Sequence, residues 1–148
     1  MATYTCSLDG SPAAACASPA AYTDLTEGTH MFEATGTDQL GNVGAPADWS
    51  WTVDLTAPVT TIGSGPADPT TDTSAAFAFS ADDPSAAFAC SLDGGAASSC
   101  SSPVTYDGLG QGLHTFEVTA TDPAGNTGAP ADWSWTITGF LAPGRRLA

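Results

Sequence analysis

The chain has 148 residues, with 16 Asp or Glu against two basic residues, Arg145 and Arg146, for a net charge of −14. So acidic a surface repels phosphate backbones and anionic lipid, which argues against nucleic acid and membrane partners. No apolar run approaches a membrane span, Met1 is not followed by the basic and apolar regions of a signal peptide, and no carboxylate pair, nucleophile or cofactor loop supports an enzyme.

In chain order the first feature is "CSLDGSPAAAC" at 6–16, and a near copy, "CSLDGGAASSC", follows at 90–100. Neither has the tight C-x2-4-C spacing of a zinc site. An even number of cysteines in matched pairs fits disulfides in an oxidising compartment, and the matched spacing favours Cys6 with Cys16 and Cys90 with Cys100. The copying extends well past the cysteines. Shifted by 84 residues, positions 4–54 align with 88–138 without a gap, 29 of the 51 are identical, and "GAPADWSWT" recurs verbatim at 44–52 and 128–136.

Within the complete copy, alternating apolar and polar residues bounded by Gly, Asn, Asp and Pro predict strands near 59–63, 74–81, 86–92, 98–106, 113–121 and 132–138. In "LHTFEVTATD" His114, Phe116, Val118 and Ala120 share one face, as Phe77 and Phe79 do in "SAAFAFSA". "DQLGNVG" and "DPAGNTG" predict tight hairpins before each last strand. Six or seven short antiparallel strands predict an all-β fold of tandem immunoglobulin-like sandwiches. The first copy begins at its third strand and has no counterpart of residues 59–86. The expected organisation is an incomplete module over 1–56, a complete one over 57–139 and a tail over 140–148.

Several side chains have two readings. Trp49 with Trp51, and Trp133 with Trp135, lie two apart on the last strand and so face one way, either into a core or as an aromatic strip for sugar or protein contact; Trp51 and Trp135 are the surer core members. His30 and His114, without a nucleophile to serve, are expected at the core edge with one hydrogen bond each. Asp38 with Asn42, and Asp122 with Asn126, offer oxygens to calcium, the one cofactor with any support, but D-x-x-G-N has too few ligands for a calcium loop and suits a self-capping turn.

The segments "TAPVTTI", "FACSLDGG", "CSSPVTYDGL", "GLHTFEVTATDPAGN" and "WSWTI" resemble the tandem bacterial Ig-like modules of large secreted and surface proteins. The resemblance covers nearly the whole chain and implies a non-enzymatic structural or adhesive module of an extracellular fibre or cell-surface protein. Its partners would be neighbouring Ig-like modules or a cell-surface or glycan ligand. If Met1 is the native start, the first copy exposes the face its opening strands would cover, and the expected partners are other copies of the chain joined by strand complementation, with the Arg145 and Arg146 tail meeting an acidic face of the next chain. A virion surface or decoration protein and a carbohydrate-binding accessory module are the alternatives.

Overall fold

The computed structural model describes residues 1–139; the expected tail at 140–148, with Arg145 and Arg146, lies outside the described residues. The described residues form strands and turns and no helix. They divide into two compact units, with the boundary in the chain between Leu55 and Thr56.

The first unit is one antiparallel sheet of β1 (Thr3–Leu8), β2 (Ala14–Cys16), β3 (Gly28–Thr37) and β4 (Ala47–Val53), in the order β2-β1-β3-β4. The second unit has β5 (Thr60–Ser64), β6 (Ala75–Ala81), β7 (Ala87–Leu92), β8 (Ser98–Cys100), β9 (Val104–Tyr106), β10 (Gly112–Thr121) and β11 (Ala131–Ile137). Its four-stranded sheet runs β11-β10-β7-β8, the same arrangement as the whole first unit, and a second sheet runs β5-β6-β9. Two packed antiparallel sheets make this unit an immunoglobulin-like β-sandwich. Among the described residues the first unit is the matching half-sandwich, without opening strands.

The single strand predicted over 98–106 is two strands in different sheets. Pro103 cannot donate to a ladder, so β8 ends at Cys100 and the chain crosses to pair β9 with β6. On the way Ser102 Oγ accepts the N–H of Phe79 at 2.8 Å. Disulfides join Cys6 to Cys16 and Cys90 to Cys100, each tying the edge strand to its neighbour.

Inward residues of both sheets build the core of the second unit. Phe77, Phe116, Val118, Ala120 and Trp135 are fully buried, on the alternation that put Phe116, Val118 and Ala120 on one face. Phe77 stacks on Phe116 with ring centroids 4.0 Å apart and meets Trp135 edge-on at 5.2 Å, while Phe79 meets Phe88 at 5.0 Å. The repeated nonapeptide shows what this covering sheet changes. A Cβ at Gly128 would collide with the carbonyl of Pro58, where the chain enters β5, whereas at the equivalent Gly44 the nearest atom is 3.5 Å away. Glycine is therefore required at 128 and dispensable at 44.

Candidate functional site

Each Cys-Ser-Leu-Asp-Gly segment makes a turn whose Asp and Gly both have positive φ, 53° and 71° at Asp9 and Gly10, 52° and 73° at Asp93 and Gly94. That geometry is the one Asp-Gly adopts most readily. It also aims the Asp carboxylate at the long third strand of the sheet. Asp9 accepts from the Met31 N–H at 2.8 Å and lies 2.7 Å from Nδ1 of His30, whose Nε2 lies 2.7 Å from the Thr26 carbonyl. The second unit repeats this with Asp93, Thr115, His114 and the Gly110 carbonyl at the same distances. Each ring packs on a tryptophan, His30 on Trp51 at 5.7 Å and His114 on Trp135 at 5.4 Å.

The expectation of one hydrogen bond per histidine is thus corrected to two. The sequence did carry the signal: an Asp lies 21 residues before the His in both copies. With an oxygen at each nitrogen, only the doubly protonated ring can donate to both. The Thr26 carbonyl, then Asp9, raise the His30 pKa above its ordinary 6.5, and the Gly110 carbonyl, then Asp93, do the same for His114. His30 and the Met31 N–H hold Asp9 below its ordinary 3.8. For Asp93 partial burial pushes upward, but the Thr115 N–H and His114 outweigh it and its pKa also falls.

These shifts set a pH window. The histidine contribution to stability is fully present below about pH 6.5 and is lost as pH rises through the raised folded pKa; the carboxylate contribution is present above about pH 3.8 and is lost as pH falls through the lowered one. Melting temperature is expected to peak between those limits and decline on the alkaline side, with His30→Gln plus His114→Gln flattening that decline. An alkaline slope unchanged in the double variant would contradict the assignment.

The two Asp–Asn pairs are turn caps. Asp38 accepts the Leu40 and Asn42 N–H groups on Oδ1 and the Asn42 amide on Oδ2, all at 2.8–2.9 Å, and Asp122 accepts the Asn126 N–H and side-chain amide at 2.8 Å. The Asn42 and Asn126 amides lead the effects that lower the two carboxyl pKa values. The Asp oxygens considered for calcium thus accept hydrogen bonds within the hairpins themselves.

The tryptophans separate by unit. Trp135 is 0% exposed and Trp133 lies under the chain before β6: its indole N–H donates to the Pro66 carbonyl at 3.2 Å, and a Cβ at Gly65 would meet the ring at 2.7 Å. In the complete module, then, the pair is packing and not a binding strip, which corrects that reading for Trp133 and Trp135. In the first unit Trp51 is half-buried and Trp49 is 71% exposed.

The inward face of the first unit is consequently open. Tyr4, Tyr22 and Trp49 are exposed on it, and Phe32 and Trp51 are half-covered. Two shallow hollows open there. One, of about 360 Å³, is bounded by Tyr4, Cys6, Phe32 and Ala34, and the other, of about 390 Å³, by Tyr22, Leu25, Phe32 and Trp51. On β3 and β4 this face is smaller than its twin: Ala34, Gly36 and Val53 stand where the second unit has Val118, Ala120 and Ile137. At about 0.8 kcal/mol for each of the four carbon groups lost, a covering layer gains about 3 kcal/mol less here.

No protein-family model and no curated protein matches this sequence. Among solved structures, the central fibronectin-III array of RIM-binding protein is similar to it at 14% identity and a TM-score of 0.39, over 95% of this chain. The chain spans 59% of that structure's length.

Proposed function

We propose that this chain is a non-enzymatic structural element of an extracellular fibre or surface protein, in which the second unit is a closed spacer and the first is a joining face completed by strand complementation. One observation carries the reading: the same four-stranded sheet is built twice and covered once. A contiguous apolar sheet face left open is a surface for association. The polar groups that repeat between the units, His30 with Asp9 and His114 with Asp93, are engaged in internal contacts, which suits a part that holds shape. Two disulfides suit an oxidising exterior. The exposure of Trp49 follows from the missing cover and needs no sugar to account for it.

Sedimentation velocity over a concentration series tests the reading. The chain is expected to associate in the high-micromolar range, and Tyr4→Ser with Trp49→Ser to return it to monomer. A monomeric parent with an ordered first unit would overturn self-association.

A further inference from the structure

The second unit is entered from Leu55 and left through Gly139, so tension along the chain reaches it at its two ends. Its opening segment and its last strand lie side by side and run the same way. Pro58 sits against Gly128, Gly65 lies against the Trp133 ring, Asp68 accepts the Thr136 N–H at 2.9 Å, and Thr70 forms a parallel bridge with Ile137. Every ladder of the two units is antiparallel, so this parallel seam stands apart from them. Main-chain bonds close its far end: the Thr70 N–H donates to the Thr136 carbonyl at 3.0 Å, and the Thr138 N–H to the Thr70 carbonyl at 2.8 Å. Pro69 has no N–H to give to the seam, and the Asp68 carboxylate beside it supplies a charged acceptor instead.

Direction decides how such a seam answers to load. A pull on the chain before Pro58 draws the opening segment toward the Gly128 end, and a pull beyond Gly139 draws β11 the other way. The two segments are drawn past each other along their length, so the bonds at Pro66, Asp68 and Thr70 carry the force together. In an antiparallel pair both pulls would act at one end, and the bonds would part in turn. The entry point is held as well: the Val59 carbonyl accepts the Asp82 N–H at 3.2 Å, and the Val59 N–H donates to the Asp82 carboxylate at 2.8 Å. Inside the unit the Cys90–Cys100 bridge joins residues ten apart in sequence with their Cα atoms at 5.8 Å, which withholds about 30 Å of extension.

We propose that the second unit is a load-bearing element: tension along the chain is resisted by the seam between residues 58–70 and β11, and the Cys90–Cys100 bridge limits the extension once the seam parts. This rests on the second unit being a spacer, as read above, and adds what the spacer withstands.

Single-molecule force spectroscopy on the full chain tests it, with a reactive handle at Asp72, an exposed position just past the seam. The same labelled chain is pulled in two ways. Held at its two termini, the seam is sheared; held at position 72 and the C-terminus, the same bonds open one after another from the Thr70–Thr138 end. At one constant force the sheared seam is expected to last about tenfold longer than the peeled one, because several bonds must break in one step. Asp68→Ala is expected to shorten the sheared lifetime about fivefold, and Asp68→Asn, which keeps an acceptor oxygen, to recover most of it. Reducing the disulfides is expected to lengthen the second unit's step by about 30 Å. Because both pulls use one chain, misfolding cannot imitate a difference between them. Equal lifetimes in the two geometries, or an Asp68→Ala chain that ruptures in shear at the parent's rate, would overturn the load-bearing seam while leaving the unit a spacer. A step that reduction leaves unchanged would refute the bridge as the limit on extension.

Discussion

Phe77→Ala is expected to destabilise the second unit by about 3–5 kcal/mol, whereas Phe32→Ala in the first unit is expected to lose far less. The ring of Phe77 is fully buried and touches Phe116, Trp135 and Tyr106, members of both sheets, so its removal opens a cavity between layers that cannot close without moving strands. Phe32 is half-covered and has no opposing layer among its own unit's residues, so its loss leaves no cavity and costs little beyond its present contacts. Small domains have about 5–15 kcal/mol in all, so the first substitution takes a large share. Urea unfolding followed by hydrogen exchange separates the units. Equal losses at the two positions would mean that the first unit's face is covered in solution.

The contrast shows what could be read from sequence alone. Most strand positions and both disulfides were legible, because alternation and an exact 84-residue shift are local patterns that survive without knowledge of packing, whereas the switch of sheets within 98–106 was not. The fate of the tryptophans was not. "GAPADWSWT" is identical in both units, yet Trp133 is stapled beneath Gly65 and Pro66 while Trp49 stands open, since exposure depends on a segment 67 residues upstream, whose counterpart for Trp49 would fall before residue 1. The His–Asp clamp was missed for a related reason. It needs the left-handed Asp-Gly turn to bring Asp9 beside a histidine 21 residues on, a geometric consequence that no spacing rule for catalytic or metal sites describes.

Removing the two disulfides is expected to have unequal effects, although the bridges are alike. Each closes a loop of ten residues' separation, for which the chain-entropy model gives about 3 kcal/mol. In the second unit Cys90 is buried within the sandwich core, and a second layer remains to hold the sheet when the bridge is gone, so Cys90→Ser with Cys100→Ser lowers the melting temperature of a unit that stays folded. The first unit is one sheet whose hydrophobic face has no partner layer of its own, an arrangement with little burial to offset chain entropy. There the bridge supplies most of the margin, and Cys6→Ser with Cys16→Ser is expected to unfold residues 1–55 while 56–139 persist. Exchange-resistant amides counted by unit decide it: continued protection of β1 and β3 in the variant would show that something else holds the half-sandwich closed.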